Sequence, residues 1–375
     1  MPLAPILTDS RAVADFAEEL QQCPVIAVDL EADSMHCYQE KVCLLQVSTP
    51  ERTLLIDPLA EEIDLSPLKP VLANPRIRKI FHAADYDIRC LARDFGIEIN
   101  GLFDTMISCQ FLGEEKVGLA DVLNKYFGVE LDKQYQRADW SERPLSEGMI
   151  RYAAADTAHL HGLVELLEDQ LLRKGRLAWV LEEFALLEKA RFAPNDGPLF
   201  LRCKGAGRLN PRQLAVLEEL LQWRDSEARR RDRPLYKVIG NKPLLDIATV
   251  RPQGRQGLLG IEGVPPRLVD RFGSALLKAV RRGEQLPEDQ LPAFPRNERR
   301  VKDPEAEKRM LLLKEWRKEA AAGLTLDPGV LINNAALEEL SRCRPKTSGE
   351  LSASGILKNW QVEVLGEGIL ATLRS

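Results

Sequence analysis

The sequence predicts an α/β domain over residues 1–195, a mixed β-sheet flanked by helices, then two all-α domains at 205–285 and 300–375. Three observations carry this. β-Type runs crowd the first 83 residues, and helical patterns interleave with and then replace them, as when strands and helices share one core. Two stretches rich in proline and charge, PNDGP (194–198) and LPEDQLPAFPRNERRVKDP (286–304), read as linkers. The chain beyond the first of them matches itself at an offset of 93 residues. The length of 375 residues agrees, because single cores stop growing near about 250–300 residues.

The elements follow in order. Thr8 or Asp9 caps a helix running to about Leu20, with Val13, Phe16 and Leu20 on one face. VIAVDLEAD (25–33), KVCLLQVST (41–49) and RTLLIDP (52–58) are β-rich runs with tight connections, an antiparallel meander. Ser66-Pro67 opens a short helix, since proline suits the first helical turn. RKIFHA (78–83) is a further strand, and YDIRCLARDFG (86–96) is an amphipathic helix stopped by Gly96. Helical patterns then cover about 104–112, 118–127 and 146–171, and resume at Pro211.

The repeat pairs Trp223-Arg224 with Trp316-Arg317, Asn241 with Asn334, Leu244 with Leu337, Arg251-Pro252 with Arg344-Pro345, and Gly273 with Gly366. About 13 of about 61 positions are identical without a gap, against roughly four by chance, which indicates a duplicated helical module. The tryptophans read as core anchors.

The net charge of −5 hides an asymmetry. Residues 1–200 hold 20 basic and 34 acidic residues, residues 201–283 hold 18 and 8, and the remainder holds 14 and 15. Only the first copy of the module is basic, so it is the part suited to a polyanion. No run of about 18 apolar residues appears, which excludes a transmembrane helix. MPLAPILTDSRAVADF lacks the basic start and apolar core of a secretory signal. The seven cysteines are scattered, with no C-x-x-C pair, and read as reduced thiols of a cytoplasmic protein.

Four stretches of the first domain place acids where acids are poor structural choices. Strand alternation puts Asp29 and Glu31 on one face with Leu30 opposite, a like-charge pair suited to a cation or to a solvated strand end. Asp85 and Asp87 begin a helix; Asp85 fits a dipole partner or cap, and Asp87 lies too far in to cap well. Asp104 reads first as an N-cap. Tyr152 and Asp156, at i and i+4 around three alanines, share a helix face and let another surface come close. Four carboxylates and a phenol suit two hard divalent cations, which activate a water and stabilise the leaving oxygen of a phosphodiester.

This constellation resembles the DEDD 3′–5′ exonucleases, in their tyrosine-bearing branch. The D-x-E motif is matched by Asp29 and Glu31, the middle acid by Asp87 in HAxxxD, and Y-x-x-x-D by Tyr152 and Asp156. The blocks KVCLLQVST, GLFDTMISCQFLG, ELDKQYQRADWSERPLS and YAAADTAHLHGL are similar to the bacterial ribonuclease D family. GRLNPRQLAVLEELLQWRDSEARRRDRPLYKVI resembles the start of an HRDC domain, a small nucleic-acid-binding module, and the second repeat a diverged partner of it. The resemblance implies an RNase H-like fold and two ions, Mg²⁺ or Mn²⁺, held by Asp29, Glu31, Asp87 and Asp156, with Tyr152 positioning the water. It further implies RNA as partner, with tRNA precursors trimmed at the 3′ end and nucleoside 5′-monophosphates released, by a monomer of three linked domains.

Beside the motifs, Leu30, Phe81 and His82 are candidate lining residues, with a hydrogen-bonded core histidine as the alternative for His82. Lys133, Arg137 and Arg143 are candidate phosphate contacts, and surface ion pairs are their alternative. Arg229, Arg230, Arg231, Arg233 and Lys237 surround Tyr236, a pattern for phosphate contacts with a stacking aromatic, or for a solvated helix face. The competing functions are a DNA 3′–5′ exonuclease, separated by matched RNA and DNA oligonucleotides, and a non-catalytic RNA-binding protein, separated by a metal titration. Deleting residues 200–375 is expected to weaken RNA binding and flatten its salt dependence while sparing chemistry on short oligonucleotides.

Overall fold

The computed structural model describes residues 3–193, 196–295 and 303–374, so the linkers at 194–198 and 286–304 lie partly outside the described residues. The chain forms two compact units. The first comprises Met1–Ala32, Val42–Phe192 and Lys302–Ser375, and the second Asp33–Lys41 and Ala193–Val301. The three sequence segments are thus grouped differently from a linear string of domains.

In the first unit, β1 (Ile6–Leu7), α1 (Ser10–Leu20), β2 (Val25–Ala32), β3 (Val42–Ser48), β4 (Thr53–Ile56), α2 (Leu68–Leu72), β5 (Arg78–Phe81) and α3 (Asp85–Phe95) come first. They are followed by β6 (Leu102–Asp104), α4 (Thr105–Leu112), α5 (Leu119–Phe127), α6 (Glu147–Ala158), α7 (Leu160–Arg173) and α8 (Leu177–Leu187). The sheet order is β1-β4-β3-β2-β5-β6. The meander β2-β3-β4 is antiparallel as expected, while β1, β5 and β6 pair in parallel with β4, β2 and β5. Asp9 caps α1 by accepting from Ala12 N, and Gly96 ends α3 with φ 60°. The single helical pattern read at 146–171 is two helices, broken at His159. Every residue of the interior strand β3 is buried, so it shows no polar face to water.

The helices α14 (Pro304–Leu324), α15 (Pro328–Leu331), α16 (Asn334–Cys343), α17 (Ser348–Ala353) and α18 (Asn359–Arg374), which follow α9–α13 of the second unit in the chain, share one hydrophobic core with the sheet and its helices. Trp360 stacks on Trp179 at 5.2 Å and meets Phe111 edge-on at 5.3 Å. Glu182 of α8 accepts from the backbone N–H groups of Asn359 and Trp360 at 2.8 and 2.9 Å, supplying the cap that α18 lacks from its own sequence. Glu183 accepts from Trp360 Nε1 at 2.8 Å and pairs with Lys358.

In the second unit, α9 (Pro211–Arg230), α10 (Leu235–Val238), α11 (Asn241–Val250), α12 (Arg255–Leu259) and α13 (Pro266–Gln285) form an all-helical module. Each of its five helices begins 93 residues before its counterpart among α14–α18. The duplication extends to atoms: Arg224 Nη1 donates to Ile239 O and Arg317 Nη1 to Ile332 O, and Arg251 and Arg344 both end a helix in the left-handed region, at φ 51° and 45°. Trp223 and Trp316 pack against the two cores, as read from the sequence.

Candidate active site

Strand β2 lies between β3 and β5, so the sheet fixes its backbone on both sides. Alternation leaves Asp29 and Glu31 half-buried on one face while Val28 and Leu30 enter the core. Pairing with β3 slips by one residue between Glu31 and Ala32, which ends the regular ladder just past the acids. Helix α6 starts at Ser146, whose side chain accepts from Met149 N, and carries Tyr152 and Asp156 one turn apart. Ala153 is fully buried among Cys43, Leu44, Leu55 and Trp140, so a small residue lets α6 sit close on the sheet. Asp87 enters from the first turn of α3.

Ligating oxygens of Asp29, Glu31 and Asp156 all lie within 4.8 Å of one another. Asp87 stands outside that trio but close enough for its charge to act on Glu31 and to feel that of Asp29. Burial pushes these carboxyls upward, and repulsion by neighbouring acids adds to it for Glu31, Asp156 and Asp87: Asp29 is raised to about 7, Asp156 to about 8 and Glu31 to about 10, with Asp87 also raised. Four crowded acids with raised affinity for protons are equally avid for another cation, and an all-oxygen set suits a hard divalent one.

The Tyr152 hydroxyl is pushed above its ordinary range by burial and then by Asp156, Glu31 and Asp29. It hydrogen-bonds with Asp156 and with the Gln136 side chain. Its ring is boxed by Trp140 at 5.9 Å and Tyr135 at 6.1 Å. Sequence reading missed Gln136, although it stands in the block from which Lys133, Arg137 and Arg143 were chosen. Charge marks the other three, while the residue that meets Tyr152 is neutral. A cavity of about 270 Å³ opens over the acids, lined also by Leu30, His82, Gly118, Leu119, Asp121, Lys133 and Gln136.

The other expected residues divide. Leu30, His82 and Lys133 line the cavity. His82 Nδ1 is 2.8 Å from Thr105 Oγ1, the ring also meets the Val117 backbone, and burial holds its pKa down at about 4, so the ring is neutral. Phe81 is fully buried core. Asp104 is the N-cap, accepting from Met106 and Ile107 and also from Ala83 and Ala84. Arg143 is corrected: all five of its N–H donors are occupied, by both Asp57 oxygens and by the carbonyls of Cys43, Trp140 and Glu142. It braces the loop before α6 and has no donor left for a phosphate. Arg229, Arg230, Arg231 and Lys237 lie in the second unit. Arg231 is tied to Glu227 and lies over Phe272 at 4.8 Å, so it is the least available of the four. Arg230 also pairs with Glu227, but at 66% exposure its guanidinium still faces water.

Residues 5–172 match the family model described as a 3′-5′ exonuclease, and residues 213–280 and 306–373 both match the HRDC domain. Ribonuclease D of Granulibacter bethesdensis is 32% identical over 373 residues, covering 99% of this chain and 92% of that protein. The crystal structure of Escherichia coli RNase D superposes with a TM-score of 0.77 at 28% identity, over 100% of this chain and 99% of that one. The catalytic core of RRP6 from Trypanosoma brucei gives a TM-score of 0.65 at 31% identity, over 76% of this chain and 83% of that one. With full-length relatives of that name, both domain types and an acid cluster on the strand and helices that carry the exonuclease match, the chain belongs to the ribonuclease D family and is a 3′–5′ exoribonuclease.

Proposed function

We propose that this enzyme shortens RNA from the 3′ end with two divalent ions, Mg²⁺ or Mn²⁺, releases nucleoside 5′-monophosphates, and acts on tRNA precursors as a cytoplasmic monomer. The observation that carries the reading is the trio Asp29, Glu31 and Asp156, whose oxygens converge within 4.8 Å under a cavity of about 270 Å³. Asp29, Glu31, Asp156 and Asp87 would hold the ions. When bound, the ions would supply a water of lowered pKa and neutralise charge developing on the phosphate.

The protein groups do the rest. Tyr152, kept protonated by burial and its acidic neighbours, presents a hydroxyl to the attacking water. Gln136, Trp140 and Tyr135 restrict that ring to one orientation. Lys133 offers a cation at the cavity wall for a phosphate, and Leu119 and Leu131 offer apolar surface for a terminal base.

The test is gel analysis of end-labelled tRNA precursors with Mg²⁺, with Mn²⁺ and with chelator, beside matched unstructured RNA. Stepwise shortening that chelator abolishes is expected. Shortening that persists in chelator, or in the Asp29→Asn variant, would overturn the metal-site assignment.

A further inference from the structure

Residues Asp33–Lys41 connect β2 to β3 in sequence yet belong to the second unit. The neck of this segment is closed by Asp33, whose backbone N–H donates to Lys41 O and whose carboxylate accepts from Lys41 N at 2.8 Å. Its tip is anchored on α9 and α10. Tyr38 donates to Asp225 at 2.7 Å, its backbone N–H donates to Asp232 at 3.0 Å, and the Arg229 guanidinium lies over its ring at 5.4 Å. Tyr236 donates to Met35 O at 3.3 Å. Segment and module together enclose a cavity of about 640 Å³ that is separate from the acid cluster and shares no lining residue with it.

The cavity has the parts a nucleobase needs. Leu221 and Pro234 are buried apolar surface in its wall. Tyr38 is a fixed wall, since its hydroxyl and one ring face are occupied. Tyr236 is different: it lines the cavity, yet the residue is 56% exposed, a large aromatic face left to solvent in a folded module. Asp225 lines the wall, its Oδ1 accepting from Tyr38. Asn241 lines the same cavity, its Oδ1 occupied by Arg224 at 2.7 Å and its Nδ2 donating to no acceptor among the described residues. A free amide donor in the wall suits an acceptor on the edge of a base. The Arg224 Nε also lacks an acceptor, but so does Arg317 at the equivalent place in the second copy, so that feature belongs to the repeat and says nothing of a ligand. The surrounding residues 201–283, with 18 basic and 8 acidic residues, favour a polyanion over a neutral partner.

We propose that this cavity takes one unstacked base of an internal nucleotide of the RNA strand, with Tyr236 as its stacking platform. The site rests on the reading of RNA as substrate, but it is a different place from the exonuclease centre and has a different chemistry: base stacking without metal. The nuclease segment supplies Tyr38, so the site is complete only where this segment and the basic copy of the module occur together. The second copy has Gly329 where the first has Tyr236, and so lacks the platform.

The test uses the full chain in chelator and measures binding of a single-stranded RNA through which one abasic nucleotide is walked. In the wild type, one register is expected to bind more weakly by roughly 5- to 100-fold, the range of a single base–aromatic stack. Tyr236→Ala is expected to bind the intact strand that much more weakly and to be indifferent to the abasic site at that register. Tyr236→Phe, which keeps the ring, should behave as wild type. A walk with no sensitive register, or a sensitivity that survives in Tyr236→Ala, overturns the proposal. So does a free nucleoside 5′-monophosphate that occupies the cavity as tightly as the strand. Mg²⁺-dependent cleavage of a dinucleotide by the same preparations reports on the exonuclease reading alone, whichever way the walk comes out.

Discussion

Asp29 and Glu31 are held in a place that costs the fold stability when no cation is present. A carboxyl whose folded pKa is raised contributes stability fully below its unfolded value near 4, and loses it as pH rises through the folded value. For this site the loss runs from about pH 4 upward through about 7 for Asp29, 8 for Asp156 and 10 for Glu31. Metal-free protein should therefore melt lower at pH 8 than at pH 6, and Asp29→Asn should raise the metal-free melting temperature at pH 8. The same variant should lose the rise in melting temperature that Mn²⁺ gives the wild type. Calorimetry with and without chelator checks both, and a lower melting temperature in Asp29→Asn would show that the buried Asp29 charge does not cost the fold stability.

Tyr152 and Gln136 make a second residue-scale prediction. Tyr152→Phe should lower kcat by on the order of 10²-fold or more with KM nearly unchanged, the range for a positioned proton-transfer group. Gln136→Ala should lower kcat less, by roughly tenfold, because the ring stays boxed by Trp140 and only its hydroxyl loses an anchor. Equal losses in KM and kcat for Gln136→Ala would mean that it binds substrate instead. Asp29, Glu31, Tyr152 and Asp156, which the structure brings to one cavity, were legible because their motifs are local: D-x-E reads as one face of a strand, Y-x-x-x-D as one face of a helix. Gln136 was not, since its partner lies 16 positions away across a loop whose path the local pattern does not encode.

At the scale of elements, α18 is finished by groups from α8. Glu182 caps it, and Trp360, 3% exposed, stacks on Trp179. Trp360→Ala should destabilise the first unit by about 3–5 kcal/mol, as for other buried large aromatics, and Glu182→Ala by about 1 kcal/mol for a lost cap. Urea denaturation of the full chain reads both. This packing also revises the expected effect of deleting residues 200–375: the cut would uncover Trp179 and Phe111, so loss of chemistry on short oligonucleotides would report a damaged nuclease and not a missing RNA grip. The helices themselves were legible from their apolar faces, caps and the 93-residue offset. What their apolar faces cover was not, because periodicity shows that a face is buried without naming its partner. β1 and β6, two and three residues long, are too short for alternation to show, and so the parallel edges of the sheet were missed.

Across the whole molecule, charge is divided between a part that holds cations and a part suited to anions. Replacing Arg230 and Lys237 with alanine should weaken binding to all RNA sequences alike and reduce the slope of log K against log salt by about 0.9 or less per contact removed. Arg231→Ala should change that slope little, since its guanidinium is already occupied. Binding isotherms from about 50 to 200 mM salt test this. The charge asymmetry was visible in the sequence; which arginines are available was not, because i, i+3 and i, i+4 partners such as Glu227 divide them only once the helix is built.

The grouping of segments has a consequence for how the chain is made. A ribosome delivers the protein from its N-terminus, yet neither unit can close early. The aromatic face of α8 is complete only when Trp360 arrives, and Tyr38 meets Asp225, 187 positions later, only when α9 has been synthesised. Domain-by-domain folding behind the exit tunnel, the usual route for chains of this length, is therefore not open to it in full. The nascent nuclease must wait, with part of its core exposed, for the last helix to emerge.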